Sequence, residues 1–338
     1  MSLHHPIVAI VGATGAVGGE LIACLERRAF PLERLRLFAS ARSAGRRLLF
    51  RGEGIAVEAL NEDSFPGVDI ALFSAGGAVS RRFAPIAVQQ GAVVVDNSSA
   101  FRMEPEVPLV VPEVNPDAID RHAGIIANPN CVAVVAVVAL WPLHRHNHIR
   151  RIVAATYQAA SGAGAAAMEE LRASTAAYLE GTPYQHRVLA HPYAFNLFSH
   201  DTRVDLTTGC NEEETKVMRE LRKIMDTPDL RIGVTCVRVP VLRAHCIALT
   251  VEFERPIEPD AARELLACAP GVRIVDDPAG NHFPMPVEAS GQDLILAGRI
   301  RRDTSDPSGR SLALFVAGDQ LLKGAALNAV QIAERLVR

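Results

Sequence analysis

A cysteine in front of a long apolar run is the first residue whose type and place could do chemistry. Cys131 follows an Asn-Pro-Asn turn at 128–130 and precedes the apolar run 132–140. The turn and the run predict that Cys131 lies at or near a helix N-terminus, where the helix dipole lowers the pKa of a thiol from about 8.5. Such a thiolate would be a nucleophile. A buried packing cysteine is the alternative, and the pattern alone leaves both open.

A glycine-rich turn near the start of the chain is the second chemical feature. Residues 12–18 read Gly-Ala-Thr-Gly-Ala-Val-Gly, directly after the apolar run 7–11 and before an amphipathic stretch. Glycines there permit a tight turn and a close approach of the backbone to a pyrophosphate, which the N–H groups of the following helix can bind. The turn predicts dinucleotide binding. Its candidate cofactor contacts are Gly12, Thr14, Gly15, Ala16 and Val17.

The end of the next apolar run, at 35–39, predicts which dinucleotide is bound. An NAD site usually has an acidic residue there, which binds the ribose 2′-hydroxyl. This chain instead has Ser40, Arg42 and Ser43. A guanidinium and two hydroxyls can hold a 2′-phosphate, so the sequence favours NADP. An ordinary solvated loop is the alternative interpretation.

The elements that must position these residues change character along the chain. Up to about residue 130, short apolar runs at 7–11, 35–39, 68–73 and 92–95 alternate with amphipathic stretches such as 19–28, which predicts a parallel sheet with helices on both faces. Later strands (149–156, 232–239, 244–253, 294–300, 312–316) and helical stretches (165–179, 212–225) predict an α+β domain with a mostly antiparallel sheet. Apolar residues at helical spacing over 321–337 predict a long closing helix.

The composition excludes several classes of protein. The chain has 338 residues, 49% of them hydrophobic, and a formal charge of −3 from 35 Lys+Arg against 38 Asp+Glu. This balance is typical of a globular protein, and it argues against a non-specific nucleic-acid binder, which needs a basic field. No apolar run reaches the ~18–20 residues of a membrane span, and residues 1–6 do not resemble a signal peptide. Six cysteines without a Cys-x-x-Cys pair favour a reducing cytoplasm over a disulfide framework or a zinc site.

Eight sequence blocks, in order, carry a resemblance to the aspartate-semialdehyde dehydrogenase family. They are residues 11–18, 39–45, 96–102, 110–115, 128–131, 157–164, 236–241 with His245, and 323–334. Each block is weak alone, and the ordered set is highly specific. The resemblance implies reversible, NADPH-dependent reductive dephosphorylation of L-aspartyl 4-phosphate to L-aspartate 4-semialdehyde, in the biosynthesis of lysine, methionine and threonine. It also implies a homodimer, with a Rossmann-type NADP domain at 1–128 plus 321–338 and a catalytic and dimerisation domain at 129–320.

The resemblance further implies catalytic and cofactor roles. Cys131 matches the nucleophile that displaces phosphate and forms a thioester. His245 matches the general acid or base, and Gln158 matches the residue that orients the cysteine or its acyl group. Ser161, Gly162 and Gln320 match cofactor contacts, and no metal site is implied.

Substrate contacts follow from the same resemblance. Arg238 matches the arginine that binds the substrate carboxylate, a task for which the guanidinium fork suits better than lysine. Glu213 and Lys216, three positions apart on a predicted helix, match a pair that contacts the amino group and the phosphate. Arg102 matches a second phosphate-binding cation, and Asn130 a further substrate contact.

The chain departs from the family pattern at three places, one of which is the segment 183–198, shorter than is common. Two other functions remain open. Val132-Ala133 replace the usual Ser-Thr, and Gln320 replaces an Asn. These departures motivate a catalytically weak NADP-binding paralogue as one alternative. N-acetyl-glutamyl-phosphate reductase is the other, but Asn130 stands where that enzyme has glycine, and a Glu213/Lys216 pair favours a free amino group.

Overall fold

The computed structural model describes residues 5–337, which pack into two compact units. One unit comprises the described residues up to Asn130 together with those from Ala325 onward, and the other is Cys131–Gly324. Each unit has a seven-stranded sheet.

The first unit has a largely parallel sheet with the strand order β3-β4-β2-β1-β5-β6-β7. Its strands are β1 (Ile7–Val11), β2 (Arg34–Ala39), β3 (Arg47–Phe50), β4 (Glu53–Ala59), β5 (Ile70–Phe73), β6 (Val93–Asp96) and β7 (Ile125–Ala127). Helices α1 (Ala16–Arg27) and α2 (Gly77–Gln89) connect parallel strands. Nearly all of β1 and all of β5 are buried, as expected of central strands covered on both faces. The predicted parallel sheet is confirmed.

Three strands of this sheet were not predicted, and the start of α1 differs from its prediction. β3 and β4 form an antiparallel hairpin whose exposed and half-buried residues give a weak apolar signal, and β7 has only three residues. Helix α1 begins at Ala16 rather than at residue 19, so the glycine turn leads straight into it.

The second unit has a mixed, mostly antiparallel sheet with the order β12-β13-β14-β11-β8-β10-β9. Its strands are β8 (Ile149–Gln158), β9 (Phe198–Ser199), β10 (Arg231–Arg238), β11 (His245–Phe253), β12 (Val272–Ile274), β13 (Ile295–Arg302) and β14 (Ser311–Gly318). Within this second sheet, the described pairs β8–β10 and β12–β13 are parallel, and the other described pairs are antiparallel. The predicted α+β organisation is therefore confirmed, although β9 and β12 were too short to be predicted.

Helices cover one face of the second sheet. The helices of this unit are α3 (Cys131–His146), α4 (Ala165–Glu180), α5 (Glu212–Ile224), α6 (Pro259–Ala267) and α7 (Pro286–Ala289). α3 packs on β8, β11, β13 and β14, while α5 packs on β10 and α6 on β12 and β13. Residues 132–140 of α3 are all buried, because a helix that is apolar on every side lies in the interior.

The closing helix differs from its prediction. A single α-helix was expected over 321–337, but a π-helical turn occupies Leu322–Ala326 and the α-helix spans only Leu327–Leu336. The carboxylate of Asp319 accepts the backbone N–H groups of Leu321 and Leu322, which holds the start of this segment in a wider turn. No helix among residues 5–337 is both long and apolar enough to cross a membrane.

Candidate active site

Cys131 is the first residue of α3, as the turn and the apolar run predicted. Its side chain is half-buried, whereas Cys236 and Cys246 are fully buried and burial raises the pKa of each to about 12. Gly324, in the π-helical turn, lies against it: a Cβ built on Gly324 would be 3.0 Å from the Cβ of Cys131. The thiol of Cys131 is thus partly accessible to solvent and lies at a helix N-terminus. The backbone of Gly324 comes so close to it that a larger residue would not fit there.

His245, at the start of β11, is completely buried. Its Nδ1 accepts the N–H of Ala159 at 3.0 Å, so the neutral ring carries its proton on Nε2. Burial, followed by the positive charges of Arg238 and His200, lowers the pKa of His245 well below 6.5. The Nε2 atom is buried and has no hydrogen-bond partner among the described residues. His245 is therefore a neutral imidazole whose Nε2–H has no hydrogen-bond acceptor among the described residues.

Gln158, at the end of β8, is buried with a defined amide orientation. The hydroxyl of Thr156 donates to its Oε1 at 3.0 Å, and its Nε2 donates to Oε1 of Glu213 at 3.3 Å. Because a carboxylate only accepts, the Nε2 of the carboxamide must face Glu213, and the amide cannot turn over freely.

Arg238, at the end of β10, pairs in the sheet with Gln158 of β8 and is only 5% exposed. Its Nε lies 3.4 Å from Oδ1 of Asp201, and its Nη1 donates to the carbonyl of Ala159 at 3.5 Å. A Cβ on Gly162 would lie 3.0 Å from the His245 ring and 3.1 Å from Nη1 of Arg238. The cation and the imidazole therefore converge on the backbone of Gly162.

The N-terminus of α5 places the predicted acid and lysine. Asn211 caps the helix in a capping box with Glu214, whose Oε1 also accepts the N–H of Cys236 in β10 at 3.0 Å. This double anchorage fixes the first turn, where Glu213 is buried and Lys216 half-buried.

Three residues near this cluster were not identified from the sequence. His200 and Asp201 follow β9, and Thr156 lies in β8. Burial first, and then the positive charge of Arg238, lower the pKa of His200, against the opposing negative charges of Glu213 and Asp201. Thr156 and His200 each bond to a residue two positions on, Gln158 and Thr202, while Asp201 meets Arg238 37 positions away. None of these pairs belongs to a motif that marks a site in the sequence.

Ser161 and Gln320, both predicted to contact the cofactor, are buried and bonded to each other in the second unit. The Nε2 of Gln320 donates to Oγ of Ser161, and its Oε1 accepts the N–H of Ala244 at 2.9 Å. One of its two amide hydrogens remains beyond the bond to Ser161.

The glycine turn of the first unit has the shape of an anion cradle. Gly12 has φ +91°, and a Cβ there would lie 2.3 Å from the carbonyl oxygen of Ser74. A Cβ on Gly18 would lie 2.3 Å from the oxygen of Gly12. Gly15 is the N-cap of α1 without a side-chain cap, and the first turn, which holds Ala16 and Val17, contains no acid. The helix N-terminus is thus open to a phosphate, and the cradle fits one.

The residues predicted to select NADP lie after β2, which pairs in parallel with β1. Ser40 and Arg42 are exposed, and Ser43 is buried with its Oγ 3.5 Å from Oγ1 of Thr14. Because parallel strands end at the same edge of a sheet, this turn and the glycine turn share that edge.

Arg102 and Asn130 belong to the first unit, and both are buried. Arg102 donates from Nε to the carbonyl of Asn128 at 2.9 Å and from Nη2 to that of Asn97 at 2.7 Å. The Nδ2 of Asn128 in turn donates to Oδ1 of Asn97 at 2.8 Å. The carbonyls of Asn97 and Asn128 thus hold the guanidinium of Arg102 in place.

Comparisons with known proteins agree with the fold and show the family. Family models described as the NAD binding domain and the dimerisation domain of semialdehyde dehydrogenase match residues 7–122 and 140–323. The fold is thus that of a semialdehyde dehydrogenase, an NAD(P)-binding oxidoreductase. Aspartate-semialdehyde dehydrogenases of Synechocystis and Aquifex aeolicus are 55% and 49% identical to the chain, over 98% of it and 97% and 98% of their own lengths. A Vibrio cholerae structure, aspartate semialdehyde dehydrogenase II complexed with ASA, is 42% identical with a TM-score of 0.96, covering 99% of both chains. The chain belongs to the aspartate-semialdehyde dehydrogenase family.

Proposed function

We propose that this protein catalyses the reversible, NADPH-dependent conversion of L-aspartyl 4-phosphate to L-aspartate 4-semialdehyde and phosphate, a step toward lysine, methionine and threonine. The observation that carries the proposal is the buried cluster in the second unit. It combines a half-buried cysteine at a helix N-terminus, a neutral histidine with an unspent N–H, a buried arginine and a buried glutamate.

Cys131 supplies the nucleophile. At the N-terminus of α3 the helix dipole favours the thiolate, which attacks the acyl carbon and expels phosphate to form a thioester. NADPH supplies the hydride that reduces this thioester. Collapse of the resulting thiohemiacetal releases the aldehyde and regenerates the thiolate.

His245 acts as a donor in this scheme. Its Nδ1 is occupied by the N–H of Ala159, so Nε2–H is the group available to the reacting oxygen. A hydrogen bond from Nε2 to the developing oxyanion stabilises each tetrahedral state. In this tautomer the ring has no free lone pair for the thiol proton, which is why we assign thiolate formation to the helix N-terminus.

The remaining polar residues fit a zwitterionic substrate that carries a phosphate. Arg238 binds the α-carboxylate with its guanidinium, and Glu213 binds the α-ammonium group. Lys216 and Arg102 provide positive charge for the phosphate, and Asn130 is a further contact. Gln158, fixed by Thr156 and Glu213, orients the acyl group.

For the cofactor, we assign the pyrophosphate to the glycine turn and the 2′-phosphate to Ser40, Arg42 and Ser43. The steric need for glycine at 12 and 18 supports the first assignment. The second rests on the exposed guanidinium at the same sheet edge and on the missing acid after β2. Ser161, Gly162 and the remaining amide hydrogen of Gln320 complete the set of assigned contacts.

We further propose that the protein is a homodimer formed through the uncovered face of the second sheet. Val153 and Tyr157 point to that face of β8 and are 42% and 39% exposed, and Tyr157 lies 6.0 Å from the Phe315 ring. An apolar sheet face of this kind is stabilised by a second copy. A thiol that must remain reduced for catalysis fits a cytoplasmic location.

Assay of the purified protein with NADP, phosphate and L-aspartate 4-semialdehyde tests the proposal through the absorbance of NADPH. We expect turnover with this aldehyde and little with N-acetyl-glutamate semialdehyde, because the buried Glu213 carboxylate suits a free ammonium group. Preference for the acetylated aldehyde would select the reductase alternative. NADP binding without turnover of either aldehyde would instead identify a non-catalytic paralogue.

A further inference from the structure

The backbone that enters β11 is held in an uncommon conformation directly before His245. Ala244 has φ +73°, a left-handed value that non-glycine residues seldom adopt. Its N–H donates to Oε1 of Gln320 at 2.9 Å. Because an N–H requires an acceptor, this bond also fixes which end of the Gln320 amide is oxygen.

The other end of the same amide holds the segment that encloses the His245 ring. The Nε2 of Gln320 donates to Oγ of Ser161. The N–H of Ala159, two residues before Ser161, donates to Nδ1 of His245. Gly162, the residue after Ser161, lies against the edge of the His245 ring that carries Nε2. One buried carboxamide is therefore bonded to both backbone segments that orient the imidazole.

The residue before Gln320 strengthens this arrangement. Oδ2 of Asp319 accepts a hydrogen bond from Nε of Arg243 at 2.6 Å, while its Oδ1 accepts the N–H groups of Leu321 and Leu322. Asp319 thus fixes the backbone that carries Gln320 and holds the residue before Ala244. Asp319 and Gln320, directly after β14, therefore bond to Arg243 and Ala244, the two residues that precede His245.

We propose that Gln320 is a positioning residue that aims Nε2–H of His245 at the reacting oxygen by tying Ala244 to Ser161. This inference rests on the proposed function and goes beyond the cofactor contact assigned to the same residue. The task requires an acceptor for the N–H of Ala244 and, at a fixed separation from it, a second polar atom that can pair with the Ser161 hydroxyl. A glutamine provides both, and an apolar side chain of the same length provides neither.

The test compares Gln320→Met, which keeps side-chain length and removes both bonds, with a matched control, Asn147→Leu. Asn147 is also a buried amide of the second unit, and it accepts from the N–H and donates to the carbonyl of Arg255. Each variant loses two amide hydrogen bonds, which for Gln320 go to the backbone of Ala244 and the hydroxyl of Ser161 and for Asn147 go to the backbone of Arg255, so both should lose similar thermal stability. Only Gln320→Met disturbs the segments around His245.

We expect Gln320→Met to lower kcat about 10- to 100-fold with a smaller change in the KM for the aldehyde, as for a misplaced catalytic group. Gln320→Glu, whose carboxylate can accept from both Ala244 N–H and the Ser161 hydroxyl, should restore much of kcat. Asn147→Leu should keep the kcat of the unmodified protein. A kcat unchanged in Gln320→Met, or lowered equally in Asn147→Leu, would overturn the inference.

Nitrogen-15 NMR of the histidine rings gives a readout independent of turnover, with His245 assigned by His245→Gln. The unmodified protein should show Nε2–H with a bonded Nδ1, and Gln320→Met should shift or broaden these signals. If the only effect of Gln320→Met is a weaker affinity for NADP, with the His245 signals unchanged, Gln320 serves the cofactor alone and the inference fails. Failure of the proposed function would appear separately, as absent turnover in the unmodified protein.

Discussion

The glycine turn of the first unit and the polar cluster of the second unit are built by opposite means. The glycine turn depends on glycines at positions where a Cβ would clash, and Arg42, which follows β2 at the same sheet edge, is exposed. The polar cluster consists of buried side chains that orient one another: Thr156 bonds to Gln158, and Gln158 bonds to Glu213. A site for a large cofactor needs room and N–H groups, whereas a site for bond making needs fixed angles.

This contrast predicts where single substitutions matter most. In the polar cluster a change removes chemistry or misdirects a neighbour, so its effect falls on kcat or kcat/KM. At the sheet edge of the glycine turn, a substitution adds atoms where there is no room or removes one exposed charge. We expect it to lower the stability of the fold or the affinity for the cofactor.

The largest effect is expected for Cys131→Ala, because the thioester cannot form without the thiol. Turnover should fall more than about 10³-fold, while the melting temperature stays close to that of the unmodified protein. Steady-state kinetics and thermal unfolding measure the two. Cys268→Ser, at an exposed cysteine, is the control and should retain full activity. Residual turnover in Cys131→Ala near the control's level would refute its role as nucleophile.

Gly12→Ala should produce the largest effect in the first unit. An added Cβ would lie 2.3 Å from the Ser74 oxygen at φ +91°, so we expect a loss of about 3 kcal/mol in the free energy of unfolding and weak NADP binding. Gly67→Ala is the matched control: φ is +72° there, but nothing lies within 4 Å, so the cost is about 1 kcal/mol. Chemical denaturation measures both. Equal losses would show that backbone strain alone, and not the close approach, requires Gly12.

Glu213→Gln should lower kcat/KM for L-aspartate 4-semialdehyde about 10²-fold, since the variant removes the charge that faces an ammonium group and leaves the bond geometry nearly unchanged. Glu212→Gln, at the exposed neighbouring position, provides the control. A loss of similar size with an aldehyde that lacks the amino group would mean that Glu213 acts only through Gln158.

The glycine turn could be predicted from the sequence, whereas the polar cluster could not, and the difference has a physical reason. The glycine turn and the start of α3 at Cys131 are local patterns of neighbouring residues, and local patterns are what sequence periodicity and turn rules detect. The bond from Gln158 to Glu213 joins positions 55 apart, and that from Gln320 to Ser161 joins positions 159 apart. No spacing rule predicts such pairs, so the cluster was reached only through resemblance, and His200, Asp201 and Thr156 were missed.

The pH dependence of stability should sharpen the contrast between buried and exposed groups. His245 has a pKa well below 6.5 in the folded protein, whereas in the unfolded chain it titrates near 6.5. The unfolded state therefore binds the proton first as the pH falls, so stability is present above about pH 6.5 and decreases below it. Between pH 7.5 and 5.5 this group alone should cost about 1.4 kcal/mol. Between these two pH values the free energy of unfolding of His245→Gln should fall by about 1.4 kcal/mol less than that of the unmodified protein. An equal fall in both proteins would contradict a neutral buried imidazole.

The smallest effect is expected at the exposed edge, for Arg42→Ala. Solvent screens a guanidinium there, so its contact with a 2′-phosphate is worth about 1 kcal/mol, and the KM for NADP should rise about fivefold. The KM for NAD, which lacks that phosphate, should not change. Arg46→Ala, at another exposed arginine four positions on, separates a specific contact from a general loss of positive charge. If both variants raise the KM for NADP equally, the edge attracts the cofactor only by its field. If Arg42→Ala alone does so, and only for NADP, a single exposed side chain at an otherwise backbone-built site determines the choice of cofactor.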